Sequence, residues 1–322
     1  MGAPLKKPAT PAEGAIRNPE FLQDLLEGLS RHRKSLPPKW LYDARGSALF
    51  EQITALPEYY LARSEASILR RYARFLVEAI PEGGTLVELG SGASTKTQLL
   101  LDAGPQIGTY VPIDISASSL RASSDRLKLI YPDLVVSPLA GDFTKPNAMI
   151  GPSDPSICFF PGSTIGNMEP DIARALLKSV RSWPDVRTFV LGVDLVKKPE
   201  TLVAAYDDAR GVTSEFIGNI LVRANSGLDA DFDTDAFKYR ATWDSDLQQI
   251  DMWLVSGRAQ TVHAGGEEFR FAEGEALHIS ASRKFTESSL RRLAQDTGWR
   301  MNTLLTDPRK RFAVVVLSTG DQ

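Results

Sequence analysis

Two glycines stand where the sequence changes from a strand pattern to a helix pattern. The segment VELGSGAS (87–94) ends an apolar run and carries Gly90 and Gly92 at the turn that follows it. In open α/β sheets, ligands bind at such turns, outside the carboxyl ends of the strands. Thr95 stands where the dinucleotide-binding fingerprint has its third glycine, and a ligand without a pyrophosphate has less need of that glycine. The turn therefore predicts a nucleotide-like ligand.

Two further strand-like segments end in carboxylates. Asp114 closes TYVPID (109–114), roughly twenty residues after the glycines, where a carboxylate can accept both hydroxyls of a ribose. It could instead cap the helix that begins near Ser116. Gly141-Asp142-Phe143 offers a carboxylate to the exocyclic amine of an adenine and a ring for stacking. Three such turns in succession favour a methyltransferase that uses S-adenosylmethionine, a ligand without a pyrophosphate.

Other patterns match known sites less well. GSGASTKT (90–97) ends in Lys-Thr as a phosphate-binding loop does, but Thr95 replaces its glycine, so an NTPase is the less favoured alternative. DFDTDAFKY (231–239) alternates acidic residues like a calcium loop but lacks that loop's glycine and closing glutamate. The histidines are scattered, and the single cysteine, Cys158, lies in an apolar run. We expect no metal site and no disulfide.

The composition limits the class of protein. The chain has 322 residues, of which 43% are hydrophobic, and this is enough for a large core. Its 37 basic and 40 acidic residues form no concentrated Lys/Arg stripe, which argues against nucleic acid as a partner. No run of roughly eighteen apolar residues predicts a membrane span, and the first residues lack the apolar stretch of a secretory signal. We expect a cytoplasmic monomer that acts on a small molecule.

Strand and helix patterns alternate through the middle of the chain, as in a parallel sheet with right-handed crossovers. We predict an α/β protein with a doubly wound, Rossmann-like core from residues 62–198 and 286–322. A second, smaller α+β domain, from 18–61 and 199–285, would bind the substrate, with a cleft between the two. Residues 1–17 have the composition of a flexible tail.

Local signals predict where individual elements begin and end. Asn18-Pro19 combines an N-cap with a first-turn proline and predicts the start of the first helix. A second helical pattern begins at Ser64. LVVSPLAGDF (134–143) has the composition of a strand, and TLVAAYDDARGVTSEFIGNILVRA (201–224) that of one helix.

From Lys34 onward, the chain resembles the histidine-specific α-N-methyltransferases of ergothioneine biosynthesis. The resemblance rests on several long and unusual segments: KSLPPKWLYDARGSALFEQIT, LPEYY, VELGSGAS, AGDF, PGSTIGN, GVDLVK, AYDDARGVT, DADFD and MWL. It implies a Rossmann-like methyltransferase core with S-adenosylmethionine as cofactor.

The resemblance also implies two sets of site residues. Those around the cofactor are Tyr42, Gly90, Lys96, Asp114, Asp142, Phe143, Gly162 and Ser163, to which we add Ser91 and Gly92 from the same turn. Those around the amino-acid substrate are Tyr42, Tyr59, Asn167, Tyr206, Met252 and Ser282. Asn167, Tyr206 and Ser282 are expected to hold the amino and carboxylate groups. Asn167 and Tyr42 are the expected catalytic residues.

One departure from the family concerns the substrate side chain. The family has a glutamate that contacts the imidazole, two residues before the serine equivalent to Ser282, and this chain has Ser280 there. A serine offers no negative acceptor to an imidazole N–H, and it leaves room for a larger indole or phenol. Ser280 is therefore an expected substrate-binding residue. Met252 is retained beside the ring, and His278 is expected to point to the opposite face of the strand.

The reaction implied by the resemblance is methylation of the α-amino group of free L-histidine, up to the trimethylated betaine hercynine. Such an in-line displacement needs a neutral nitrogen about 3 Å from the methyl carbon and little covalent help. The sequence shows no dedicated general base. Because of Ser280, tryptophan or tyrosine is an alternative substrate, and a protein that only binds S-adenosylmethionine or an amino acid is a further alternative.

Overall fold

The computed structural model describes residues 18–92, 94–145, 156–183 and 185–320. The predicted tail, 1–17, lies outside the described residues. The helices are α1 (Pro19–Ser30), α2 (Ala44–Ala55), α3 (Tyr60–Val77), α4 (Thr97–Ala103), α5 (Ala117–Ile130), α6 (Pro170–Arg181), α7 (Pro199–Tyr206), α8 (Val212–Gly227) and α9 (Glu287–Asp296). Short 3-10 turns cover Pro38–Leu41, Thr164–Asn167 and Thr234–Ala236.

The strands divide between a large sheet and two smaller ones. They are β1 (Gly84–Leu89), β2 (Ile107–Asp114), β3 (Val135–Val136), β4 (Leu139–Ala140), β5 (Ser156–Phe160), β6 (Val186–Asp194), β7 (Phe237–Asp244), β8 (Gln249–Ser256), β9 (Gln260–Ala264), β10 (Glu267–Phe271), β11 (Ala276–Arg283), β12 (Arg300–Thr306) and β13 (Phe312–Ser318).

The large sheet has, within the described residues, eight strands in the order β12-β13-β6-β5-β1-β2-β3, with β4 also paired to β2. Every pairing between two of the strands β1 to β6 is parallel. β13 runs antiparallel to both β6 and β12, and a short turn joins it to β12. Strand order reverses beside β1, where β2 lies on one side and β5 on the other. Ligands of doubly wound sheets bind in the crevice at this point.

Helices cover both faces of the large sheet. Leu86 packs into a core cluster with residues of α3 and α4, whereas the next residue, Val87, packs into a cluster with residues of α6 and α9. All six positions of β1 are buried, as expected for a parallel strand covered on both faces. The predicted doubly wound α/β fold is confirmed.

The remaining strands form antiparallel sheets. β11, β8 and β7 make a three-stranded sheet, and β9 pairs with β10 in a hairpin. α7 and α8 pack against β7 and β8, and α8 also contacts α2. These elements are the α+β part that the sequence predicts. The division of the chain into two domains with a cleft between them remains a prediction, and its boundary at residue 62 falls inside α3.

The first helix begins as predicted. The Asn18 side chain accepts a hydrogen bond from the Phe21 N–H at 3.1 Å, and Pro19 occupies the first helical position. The second helical pattern was expected from Ser64, but α3 begins at Tyr60. Its extra first turn is buried at Tyr60 and Leu61, so tertiary packing stabilises residues that have no capping side chain.

The predicted single helix over 201–224 is wrong, because the chain turns between α7 and α8. The Asp208 carboxylate accepts hydrogen bonds from the N–H groups of Val212 and Thr213, at 3.0 and 2.8 Å. Gly211 takes φ +73°, a left-handed conformation that suits glycine. The expected strand over 134–143 is also largely wrong, since only the two-residue strands β3 and β4 form there. In the part of the chain described here, no helix has the length and hydropathy of a membrane span.

Candidate active site

The glycine turn after β1 is tied to the end of β2. Gly90 and Gly92 have φ angles of +67° and +49°, which favour glycine. The Gly92 N–H donates to Asp114 Oδ2 at 2.9 Å, and Asp114 Oδ1 accepts the Ser116 N–H at 2.9 Å. Ser116, and not Asp114, caps helix α5. Asp114 therefore has a structural role in both turns, and its predicted bond to ribose hydroxyls would add to this role.

The residues around this turn fit a nucleoside ligand. A Cβ at Gly92 would point into open space. A Cβ at Gly90 would lie 3.7 Å from the ring of Phe143. The Ser91 hydroxyl is buried and has no hydrogen-bond partner among the described residues, which leaves a polar group for a ligand or water to satisfy. The Asp142 carboxylate accepts the Thr144 N–H at 3.0 Å and keeps a second oxygen for other donors. These features are compatible with S-adenosylmethionine at this edge of a doubly wound sheet.

Lys96 is held by a partner that the sequence did not reveal. Its ammonium donates to the carboxylate of Glu65 on α3, which is fully buried. The same carboxylate accepts the Gly162 N–H at 3.0 Å to each oxygen. A side chain at Gly192 would place its Cβ 1.9 Å from Glu65 Oε1, so only glycine fits there. Glu65 thus joins the loop after β1 to the loop after β5, and contact of Lys96 or Gly162 with a cofactor remains a prediction.

A second buried carboxylate, Glu88 on β1, binds hydroxyl groups close to the glycine turn. It accepts hydrogen bonds from the hydroxyls of Thr97 and Tyr110, and the Ser94 and Tyr110 hydroxyls lie 3.0 Å apart. Burial raises the pKa of Glu88 to about 7, against the lowering effect of these donors.

We expect Glu88 to make stability fall as pH rises from 4.5 to about 7. Its folded-state pKa lies above the ordinary value of 4.5, so the folded state binds more protons than the unfolded state across that window. The titration of Glu88 should lower the unfolding free energy by an amount on the order of 3 kcal/mol across this pH window. At higher pH, Glu88 should cause no further change in the unfolding free energy. Glu88→Gln keeps an acceptor without a charge. Urea unfolding of both proteins at several pH values checks this, and a difference between them that is independent of pH would contradict it.

Three tyrosines from separate elements form an aromatic cluster near this turn. The Tyr42 ring lies 5.7 Å from Phe50 and 5.5 Å from Phe216, and the Tyr59 ring lies 5.9 Å from Tyr206, all edge to face. Among the described residues, the hydroxyls of Tyr42 and Tyr59 bond to no protein group. Burial, and to a smaller extent the charge of Asp114, raises the pKa of Tyr42.

The tyrosines stay neutral at physiological pH. Burial raises the pKa of Tyr42 to about 12 and raises the pKa values of Tyr59 and Tyr206 above the ordinary range. Each hydroxyl is therefore a hydrogen-bond donor and acceptor, and none is a general base at neutral pH.

The predicted substrate residues of β8 and β11 share one face of the small sheet. Met252 pairs with Ser280, and Ser282 pairs with Ile250. Met252, Ser280 and Ser282 are buried, and within the described part of the chain the Ser280 hydroxyl has only a long 3.4 Å contact with Ala281 O. The Ser282 hydroxyl lies 2.8 Å from the Tyr206 hydroxyl, which brings the tyrosine cluster to this strand.

His278 points to the opposite face from Ser280, as expected, but not because strand residues alternate. Residues 278 and 280 would share a face in a regular strand. A β-bulge between them reverses this, so that His278 pairs with Trp253 and Ser280 with Met252. His278 Nε2 lies 3.0 Å from Asp251 Oδ1 on the outer face of the sheet.

Asn167 ends the 3-10 turn that follows β5. A Cβ at the preceding Gly166 would lie 2.6 Å from Arg283 O, so the absence of a side chain there lets the turn approach β11 closely. The Asn167 amide forms no hydrogen bond with any other described residue. It is therefore free to bind a ligand beside the strand that carries Ser282.

A buried ionic cluster behind Ser282 was missed by the sequence reasoning. Lys284 has no exposed side-chain area, and its Nζ lies 3.0 Å from Asp194 Oδ2. Tyr60 Oη donates to Asp194 at 2.8 Å, and Lys197 Nζ donates at 2.7 Å. Two signals point to this cluster: Asp194, the one charged residue after the start of the apolar segment RTFVLGVDL, and a lysine two residues after Ser282.

The fold and the site together define the class of protein. The crevice beside β1, the open glycine turn, Asp114, Asp142 and Phe143 at successive strand ends belong to a Rossmann-like methyltransferase that uses S-adenosylmethionine. The family model of histidine-specific, S-adenosylmethionine-dependent methyltransferases matches residues 21–319, and the chain belongs to this family.

Similar proteins are named for histidine methylation or for ergothioneine biosynthesis. The chain is 40% identical over 298 residues to a histidine N-alpha-methyltransferase of Mycolicibacterium smegmatis, covering 91% of this chain and 92% of that protein. It is 41% identical over 269 residues to the protein of the same name from Mycobacterium tuberculosis, covering 82% and 84% of the two chains. An ergothioneine biosynthesis protein of Schizosaccharomyces pombe is 28% identical, with 86% of this chain and 37% of that protein covered.

Proposed function

We propose that this protein methylates the α-amino group of free L-histidine three times, to give hercynine. The observation that carries the proposal is that a continuous set of contacts connects a predicted cofactor residue with the predicted substrate residues. Ser163, on the loop after β5, accepts the Asp194 N–H at 2.9 Å, and Lys284 contacts both Asp194 and Tyr206. Tyr206 lies 2.8 Å from Ser282 on β11. An amino acid held at Tyr206 and Ser282 would thus lie beside the cofactor. The names of the two mycobacterial relatives support histidine as the substrate.

In this mechanism, the protein acts mainly by positioning. S-adenosylmethionine, when bound, supplies an electrophilic methyl group. The residues that would hold it are Gly90, Ser91, Gly92, Asp114, Asp142 and Phe143. Asn167 and the tyrosine hydroxyls orient the lone pair of the substrate nitrogen. Since the buried tyrosines stay protonated, the amine loses its excess proton to solvent before the reaction.

A trimethylated product needs a pocket that tolerates a cation without N–H donors. Aromatic rings do this through cation–π contacts, each worth on the order of 1 kcal/mol. Tyr42 and Tyr59 come from different segments and present two rings to the same region, together with Tyr206. This arrangement supports successive methylations of one nitrogen over a single transfer.

The direct experiment is to incubate the protein with S-adenosylmethionine and each of the twenty amino acids, and to measure product masses. We expect histidine to gain three methyl groups. If no amino acid is methylated, the proposal fails and the alternative of a protein that only binds these ligands is favoured. Preferential methylation of tryptophan or tyrosine would keep the reaction but change the substrate, an outcome that Ser280 makes worth testing.

Replacement of Asp114 separates its structural role from its role toward the cofactor. Asp114→Ala should weaken the binding of S-adenosylhomocysteine by about 1–3 kcal/mol, because ligand hydroxyls and the Gly92 N–H both lose an acceptor. Asp114→Asn keeps one acceptor for Gly92 and should lose less affinity. Isothermal calorimetry measures both. An unchanged affinity in Asp114→Ala would remove this residue from the cofactor site, and stabilisation by magnesium ATP instead would favour the NTPase alternative.

A further inference from the structure

Glu65 is a carboxylate enclosed between the loops that follow β1 and β5. Its side chain has no exposed area, and a Cβ at Gly192 on β6 would lie 1.9 Å from its Oε1. A charge removed from water in this way needs close partners. Among the described residues, Glu65 has two such partners, the Lys96 ammonium and the Gly162 N–H. Because the carboxylate is enclosed, it acts on a ligand only through these two groups.

Lys96 is the accessible member of this ion pair. Its side chain is 25% exposed, whereas the side chain of Glu65 is not exposed. An ammonium has three N–H donors, and within the described part of the chain Lys96 gives one of them to Glu65 Oε2, at 2.5 Å. Two donors are left for a ligand. A lysine side chain is flexible and extends toward water unless it is held, so the bond to Glu65 fixes the ammonium at this place.

The same carboxylate determines what Gly162 can offer to a ligand. The N–H of Gly162 is already bonded to Glu65, at 3.0 Å from each oxygen. The other polar group of a glycine is its carbonyl, which is an acceptor. A Cβ at Gly162 would lie 3.6 Å from Lys96 Nζ, so the ammonium is next to this loop. Glu65 therefore holds a cationic donor beside a backbone segment whose remaining polar group is an acceptor, and this combination suits a zwitterion.

The order of the strands places these groups at one end of an extended cofactor. The acids predicted to bind the nucleoside, Asp114 and Asp142, follow β2 and β4, which lie on one side of β1. The loop that carries Gly162 follows β5, on the other side of β1. A cofactor that lies across the strand ends with its nucleoside near β2 has its amino-acid end near β5. That end carries the carboxylate of S-adenosylmethionine, the group that an ammonium binds best.

We propose that Glu65 is a positioning residue for the amino-acid end of the cofactor. It holds the Lys96 ammonium and the loop at Gly162 in the arrangement that binds this end, and it does not contact the cofactor itself. The inference goes beyond the proposed function, because it does not depend on which substrate is methylated.

The test compares two ligands that differ at this end. S-adenosylhomocysteine has the amino-acid end, and 5′-methylthioadenosine has the same nucleoside and sulfur with a methyl group in its place. Calorimetry measures the first directly and the second by displacement of the first. Wild type should bind S-adenosylhomocysteine far more tightly. Glu65→Gln keeps an acceptor for the Gly162 N–H but no charge for Lys96. It should weaken binding of S-adenosylhomocysteine about 10- to 100-fold and that of 5′-methylthioadenosine by less than about threefold.

Further variants show whether Glu65 acts through Lys96. Lys96→Met should produce the same selective loss. The double variant Glu65→Gln/Lys96→Met should bind S-adenosylhomocysteine about as weakly as Lys96→Met alone, because Glu65 then has no ammonium to hold. Gly192→Ala should also weaken S-adenosylhomocysteine alone, because its Cβ displaces the Glu65 carboxylate without a change of charge.

Asp307→Asn is the matched control for the loss of a buried carboxylate. Asp307 lies in the turn between β12 and β13 and accepts the N–H groups of Arg311 and Phe312, at 2.6 and 2.9 Å. Its replacement should lower the melting temperature and leave the affinities for both ligands unchanged.

Several results would overturn the inference. Wild type could bind both ligands equally, or Glu65→Gln could weaken both alike, as the loss of a purely structural residue would. An affinity of Glu65→Gln for S-adenosylhomocysteine that equals or exceeds that of wild type would mean that Glu65 only competes with the cofactor for Lys96. Losses that multiply in the double variant would exclude the route through Lys96. If Glu65→Gln does not fold, the same comparison is made with Gly192→Ala, and an unchanged affinity there contradicts the inference.

Discussion

Asn167→Ala should lower turnover at saturating cofactor and histidine by about 100-fold or more, with little change in melting temperature. The expected loss is that of a misplaced nucleophile, since an error of about 1 Å in a reacting atom can have an effect of this size. The amide bonds to no other described residue, so its removal breaks no protein hydrogen bond. Steady-state kinetics and a thermal melt of the same samples provide the measurement.

Asn225→Ala is the matched control for this substitution. The Asn225 amide exchanges hydrogen bonds of 2.7 and 2.8 Å with the backbone of Phe232, far along the chain from the predicted site residues. Its loss should lower the melting temperature and leave turnover unchanged. If Asn167→Ala instead loses stability and activity together, as a structural turn residue would, then Asn167 does not orient the nitrogen.

Ser280→Glu should raise the ratio of kcat/KM for histidine to kcat/KM for tryptophan by about 100-fold. A charge-assisted hydrogen bond to the imidazole contributes about 1.5–3 kcal/mol before desolvation, and the larger side chain leaves less room for an indole. The position is suited to this change, because Ser280 is buried beside Met252 and its hydroxyl makes only one weak contact with the residues that the structure describes. Competition between the two amino acids in one reaction measures the ratio directly.

Ser280→Gln separates charge from size. Glutamine has nearly the same shape as glutamate, so a ratio that rises equally in both variants would attribute the effect to the smaller pocket. If the ratio stays at the wild-type value in Ser280→Glu, then Ser280 does not contact the side chain of the substrate. Histidine would in that case be recognised by other groups, and the reason to consider tryptophan or tyrosine would disappear.

Local sequence signals were sufficient wherever one short segment determines the conformation. Asn18 and Pro19 start a helix because the cap and the fixed proline φ act within one turn. The apolar runs of β1, β5 and β6 and the helix patterns between them predicted the doubly wound sheet, since a parallel neighbour requires a crossover. The glycine turn and the strand-end acids followed from the same topology. The resemblance of whole segments then supplied the tyrosines, Asn167 and the serines.

Tertiary structure decided what depends on contacts between distant residues. The break between α7 and α8 arises because the side chain of Asp208 competes with helical hydrogen bonding, which periodicity alone does not reveal. The bulge in β11 puts His278 and Ser280 on opposite faces, and strand pairing determines this, not the alternation of residues. Glu65 and Lys96, or Asp194 and Lys284, are charged residues that look solvent-exposed in sequence. Only the assembled fold buries Glu65, Asp194 and Lys284, and each buried charge has an opposite charge in contact, because a charge removed from water needs such a partner.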